Sequence, residues 1–157
     1  MGTTLSNVEE IFSANPKNNS GRHFGARIVF DNDGFLYLSF GNRGKIMTSQ
    51  DLTNHNGTVI RLNDDGTVPS DNPFFNTDNA QPKIWSYGHR NIQGMSTHPE
   101  TGEIWTHEHG PRGSDEFNVL KKGANYGWPL ASFGIDYDGD IITQDTFVEG
   151  TERPTYY

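Results

Sequence analysis

Five side chains able to move a proton or hold a cation crowd one short stretch of this chain. Residues 103 to 129 read EIWTHEHGPRGSDEFNVLKKGANYGWP, and His107, Glu108, His109, Asp115 and Glu116 flank a Gly110-Pro111 corner. A metal site, a cofactor seat and plain β-turn chemistry would each account for the grouping. His107 and His109 sit two apart, hence on one face of a strand, a spacing that serves zinc or iron. No third ligand at a fitting distance accompanies them. The chain has no cysteine, so thiolate metal sites and cysteine nucleophiles are excluded. The corner is instead followed by oxygen donors at Ser114, Asp115 and Glu116. Hard oxygen ligands suit calcium, and a proline keeps its carbonyl while lacking an N–H. An EF-hand does not fit. The stretches Asp31-Asn32-Asp33-Gly34 and Asp136-Tyr137-Asp138-Gly139 place glycine too early and lack the closing glutamate, so they read as hairpin turns.

Three further stretches carry candidate chemistry. His23 stands at the mouth of a strand after NPKNNSGR. A histidine there suits general-base work because it titrates near neutral pH; a plain surface histidine is the bland alternative. The loop YGHRNIQG, residues 87 to 94, gathers His89, Arg90, Asn91 and Gln93. The arginine fork and the asparagine amide suit a planar anionic ligand; a strand-end ion pair and a turn asparagine would look the same. Asn125 to Pro129, NYGWP, reads as a turn with aromatic anchors. No Gly-x-Ser-x-Gly elbow is present.

The elements that must position these residues are short strands. The chain has 157 residues, enough for one domain with a core, and its 18 glycines and 12% aromatics point to many strands and tight turns. A formal charge of −8 with no basic cluster argues against nucleic acid. No apolar run is long enough to span a bilayer, which excludes a membrane-spanning helix. The opening MGTTLSNVEEIF has neither the basic nor the apolar region of an export signal. ARIVF, FLYLSF, TVIRL, KIWSY, EIWTH and FNVL are β-branched or aromatic runs bounded by Gly, Asn, Asp or Pro. Turns are expected at Asn32 to Gly34, Asp64 to Gly66, Glu100 to Gly102 and Asp138-Gly139. Residues 4 to 12 carry a weak helical pattern that also fits an edge strand.

The pattern recurs. HFGARIVFDNDGFLY from His23 lies on NIQGMSTHPETGEIW from Asn91, with Gly34 on Gly102, Leu36 on Ile104 and Tyr37 on Trp105. TVIRLNDDG from Thr58 then lies on DEFNVLKKG from Asp115, the insert from Arg43 to Asn56 lengthening the first copy. Such recurrence is the signature of propeller blades, against two unrelated hairpins with shared turn chemistry. Blade-like units are expected at about residues 21–66 and 82–142 of a single partial-propeller domain, 1–157. Residues 67 to 81 are expected to link one unit to the next, and 143 to 157 to fray. Two or three four-stranded antiparallel blades do not close a ring, so exposed edges invite pairing between copies.

HFGARIVFDNDGFLYLSFGN, YGHRNIQGM, EHGPRGSDEFNVLKKGANYGWP and NGTVIRLNDDGTVPSDNPF together resemble the soluble sugar dehydrogenases that depend on pyrroloquinoline quinone (PQQ), of the glucose/sorbosone dehydrogenase family. The likeness runs from about His23 to Gly139 and is nearest the aldose sugar dehydrogenases. It implies an all-β, six-bladed propeller, exported to the periplasm or secreted, that oxidises aldoses at C1 to lactones for an external electron acceptor. On that resemblance His23 is the catalytic base, and Arg90 and Asn91 contact the quinone. Gly110 and Pro111 offer main-chain oxygens to the calcium beside it, and Glu116 and the Tyr126 carbonyl serve a second, structural Ca2+ site. Arg22 and Asn42 stand where the glucose enzyme carries acids, which departs from a glucose preference. Family members have further blades, so the chain resembles a central fragment, and in isolation it is expected to be inactive. A non-catalytic propeller that binds sugar or protein is the alternative function.

Overall fold

The computed structural model describes residues 4–157. Seven short strands make two antiparallel sheets, confirming the all-β class. The first sheet runs β1 (Ile28–Phe30), β2 (Leu36–Ser39), β3 (Val59–Leu62) and β4 (Ile84–Ser86) in that spatial order. The second runs β5 (Ile92–Thr97), β6 (Ile104–Glu108) and β7 (Glu116–Val119). Each glycine-marked turn closes as its residue types require. At the β1–β2 hairpin, Asp31 Oδ1 accepts from Asp33 N–H and Phe35 N–H while Gly34 takes φ +86°. Only glycine occupies that region without steric penalty.

Both faces of the first sheet are covered, which is why β2 and β3 lack a polar alternation. Leu36, Ile60, Leu62 and Ile84 form one cluster, on which Phe12, Phe40 and Phe74 pack. Tyr37 and Val59, on the opposite face, join Ile92 and Ile104 of the second sheet in a cluster between the sheets. Burial on this scale stabilises by about 1.5–3 kcal/mol per large apolar side chain. Arg61 lies in this inter-sheet layer. Its guanidinium stacks 3.6 Å over Phe35 and 4.9 Å from Trp85, and it meets Asp71 at 2.9 Å.

The expected repeat is structural. β2 and β6 hold equivalent places in their sheets, and β3 falls on β7 residue for residue. Three expectations are corrected. Residues 4 to 12 form neither helix nor strand; Phe12 is held by ring contacts with Phe40 and His55 instead. Residues 67 to 81 do not link the two units: β4 pairs with β3, so this connection runs inside the first sheet and residues 82 to 86 belong there. Asn72 pins it, its Nδ2 donating to Arg61 O and Pro82 O. The final segment does not fray. Phe117 N–H donates to Tyr156 O at 2.9 Å, Glu152 N–H to Asn125 O, and Lys121 meets Glu152 at 2.6 Å. Tyr156 thus bridges to the free side of β7, at the place β4 takes on β3.

Candidate active site

His23 is built into its position by glycines and one buried amide. Its backbone is left-handed, at φ +53°. A Cβ on Gly41 would lie 2.1 Å from His23 O, and one on Gly25 would lie 2.2 Å from Ile92 O, so neither position accepts a side chain without movement. Asn42 is fully buried beside the imidazole. Its Oδ1 meets His23 Nδ1 at 2.5 Å and also accepts Gly44 N–H at 2.9 Å. Because Gly44 needs an acceptor, the amide oxygen faces His23, and Nδ1 must be the donor. The proton on Nδ1 leaves Nε2 with its lone pair free. Burial is the main influence on this histidine and lowers its pKa below the ordinary value. The Asn42 hydrogen bond opposes that effect, and Arg90 and Arg22 reinforce it. His23 is therefore neutral, and competent as a base, at neutral pH.

The loop after β4 is organised by a carboxylate. Glu108, buried at the end of β6, accepts His89 Nδ1–H at 3.0 Å, Arg90 N–H at 2.6 Å and Asn91 N–H at 3.1 Å. Burial alone would raise its pKa, but these hydrogen bonds outweigh burial and hold it below the usual carboxylate range. His89 is fully buried, takes Ser86 Oγ–H on Nε2 at 2.9 Å and stacks on Tyr126 at 4.4 Å. So Glu108 and His89 are scaffolding. Arg90 Nη1 donates to His109 O at 3.0 Å, its guanidinium lies 5.3 Å from the Trp128 ring, and its Nε has no partner among the described residues. Asn91 Oδ1 accepts Gly25 N–H at 2.9 Å, and Arg90 O accepts Asn42 N–H at 2.9 Å. Both contacts tie the His23 segment to this loop.

The Gly110-Pro111 corner forms a tight turn. A Cβ on Gly110 would lie 1.7 Å from Ser114 O, and Gly110 N–H donates to Asp115 Oδ1 at 3.1 Å. Pro111 O accepts Ser114 N–H at 3.2 Å, which leaves one lone pair. Gly110 O accepts no hydrogen bond among the described residues. Next to the corner is a small cavity of about 10 Å³ walled by Glu108, Gly110, Ser114, Glu116, Tyr126 and Ser132, with Arg90 and Trp128 also lining it. That is the size of one water or one ion. Burial, then the charge of Glu108, pushes Glu116 up to about 8. A carboxyl so disfavoured as an anion, among hydroxyl and carbonyl oxygens, fits a hard cation.

One larger cavity, of about 360 Å³, is lined by His23, Arg90, Pro111 and Trp128 together with Arg22, Tyr137 and the carboxylates Asp136 and Asp138. That volume lies in the range of small-molecule sites. The fold thus joins His23, Arg90 and Pro111 around one space, and Gly110, Glu116 and Tyr126 around the neighbouring one. Asn91 lines neither and acts as the brace between them. His107 packs on Phe117 at 5.5 Å, and the His109 imidazole meets Asp115 at 3.4 Å. Among the described residues no three His, Cys, Asp or Glu side chains gather as a group that could hold a metal ion. Sequence reasoning missed the Glu108–His89 scaffold and the role of Asn42. The spacing GHRN…EH held no signal of it, because these partners meet only across the sheet.

The chain matches the family model for glucose/sorbosone dehydrogenase over residues 1–157. It is 45% identical over 155 residues to the aldose sugar dehydrogenase YliI of Escherichia coli, covering 98% of this chain and 42% of that protein. The structure superposes on the apo-form of the soluble aldose sugar dehydrogenase of Escherichia coli with a TM-score of 0.94 at 44% identity, over 98% of this chain and 45% of that one. On the PQQ-bound form of the aldose sugar dehydrogenase of Streptomyces coelicolor it superposes with a TM-score of 0.67 at 33% identity, over 85% and 35% of the two chains. The chain spans less than half the length of these relatives. Its two antiparallel sheets are part of a β-propeller, and the chain belongs to the glucose/sorbosone dehydrogenase family.

Proposed function

We propose that this chain is the central part of a PQQ-dependent dehydrogenase that oxidises aldoses at C1 to lactones. The complete protein would be a six-bladed propeller, exported to the periplasm, that passes electrons to an external acceptor. The observation that carries the reading is the shared cavity: His23, with a free Nε2, faces the same space as Arg90 and Pro111. A relative whose structure holds PQQ supports the choice of cofactor.

The residues present fit that cofactor. PQQ is a planar polyanion, and the cavity offers Arg90 and Trp128, whose Nε and Nε1 have no partner among the described residues. Gly110 O and the spare lone pair of Pro111 O would hold the calcium beside it. Glu116, the Tyr126 carbonyl and the hydroxyls of Ser114 and Ser132 would hold a second calcium. When bound, the quinone supplies a hydride acceptor and its calcium supplies positive charge at the quinone oxygens. The protein's own part is the proton. His23 Nε2 accepts the C1 hydroxyl proton, and Asn42 stabilises the resulting imidazolium through the Nδ1–H bond. Arg90 fixes the anionic partner, and the Asn91–Gly25 contact keeps the base in register with it.

Equilibrium dialysis with PQQ tests the reading. Saturable retention that requires calcium and weakens in Arg90→Gln is expected. No retention at any calcium concentration would leave a non-catalytic binding propeller as the better account.

A further inference from the structure

His23 also lines a second cavity, of about 400 Å³. Its walls hold Lys17 and Arg43 but no Asp or Glu, in a chain with 20 acids and 12 Lys or Arg. Neither cation makes an ion pair among the described residues. Arg43 donates to the carbonyls of Ser20 and Arg22, which orients its guanidinium over Phe24 without neutralising it. Three more wall residues, Asn18, His55 and Asn56, each have a buried side-chain nitrogen with no partner among the described residues, and His55 and Asn56 are 5% and 6% exposed. His55 N–H satisfies Asn15 O, so Asn15 N–H takes His55 Nδ1 as its acceptor and the imidazole proton sits on Nε2. The walls therefore present positive charge from Lys17 and Arg43, and Phe24 and Phe40 supply apolar surface.

The two cavities meet at the proposed base. The first has its own anionic ligand in the quinone, which Arg90 answers. A substrate whose C1 lies at His23 Nε2, with the cofactor on one side, must extend on the other. We infer that the Lys17–Arg43 cavity holds the body of the substrate, and that this substrate is an aldose carrying a carboxylate or a phosphate remote from C1. The inference rests on the assignment of His23 as the base. A cation-rich, acid-free wall favours an anion, and each charge-assisted hydrogen bond in a partly desolvated site discriminates strongly against a neutral analogue.

The test compares glucose, glucuronate and glucose 6-phosphate as substrates of the full-length protein loaded with PQQ and calcium. One of the charged sugars should show kcat/KM about tenfold above glucose, equivalent to ~1.4 kcal/mol. Lys17→Gln should shrink that ratio, and Lys121→Gln, on the far ion pair with Glu152, should not. Ligand-observed NMR on the cofactor-free protein should show the favoured sugar binding in a Lys17-dependent way. The identity of that sugar separates carboxylate from phosphate. Equal kcat/KM for all three sugars, or a preference that Lys17→Gln leaves intact, overturns the inference while the dehydrogenase reading stands. Lys17-dependent binding without oxidation of any aldose would sustain the anion site and remove the dehydrogenase reading.

Discussion

Removing Glu108 tests the scaffold beneath the site. Glu108→Ala deprives three donors of their acceptor: His89 Nδ1–H, Arg90 N–H and Asn91 N–H, all in buried residues. Each stranded donor costs about 1–3 kcal/mol, and water entering the vacated space recovers part of that. Removing one member of a buried hydrogen-bonded pair costs about 3–5 kcal/mol, so we expect ~4 kcal/mol here. Glu108→Gln should be far milder. Its amide oxygen still accepts the two backbone N–H groups. Its NH2 can donate to His89 Nδ1 if the imidazole changes tautomer, Nε2–H then donating to Ser86 Oγ. Only charge assistance is lost, about 1 kcal/mol. With a urea slope of roughly 2 kcal/mol per molar, the midpoint should fall by about 2 M for alanine and about 0.5 M for glutamine. Hydrogen exchange should locate the loss at the Arg90 and Asn91 amides. Equal shifts for the two variants, or an alanine shift under about 0.5 M, would refute the argument that this carboxylate organises the loop.

Other consequences follow from the same contacts. Burial holds the His23 pKa below its ordinary value, so the acid limb of kcat/KM should lie below about pH 6.5. The stability that neutral His23 contributes is present above that pH and fades as pH falls through its folded pKa. Asn42→Asp places a carboxylate against Nδ1 and should raise the limb by about one pH unit; an unmoved limb would break the link between these residues. Gly41→Ala drives a methyl against His23 O and should cut turnover on the order of 10²-fold, and a wild-type rate would show that the loop yields freely. Ile28 and Phe30 are 66% and 54% exposed on the edge strand β1, so residues 1–157 alone should self-associate in sedimentation velocity, against which a clean micromolar monomer would count.

The strands and turns were legible because they are local. Asp31 to Gly34 specifies its hairpin by residue type, and the alternation of Leu36, Leu38 and Tyr37 marks two buried faces. The repeat placed β7 by analogy with β3. What stayed hidden depends on register. β4 joins the first sheet only after the long connection, and nothing local distinguishes that route from a crossover to the next unit. Family motifs pointed to His23, Arg90 and Pro111, and one cavity brings those three together. The same motifs point Asn91 to the cofactor, and they do not reveal that its oxygen holds Gly25 N–H. The Glu108 scaffold depends on the register that sets Ile92 opposite Glu108, which the Glu100–Gly102 turn signal alone does not fix.

The most direct measurement is aldose-dependent reduction of an artificial electron acceptor by the full-length protein, with and without PQQ and calcium, in wild type and His23→Gln. Turnover should require both additions and vanish in the variant, with PQQ still bound. Turnover that needs no quinone, or that survives loss of the imidazole, would contradict the assignment of His23 as the base beside the cofactor.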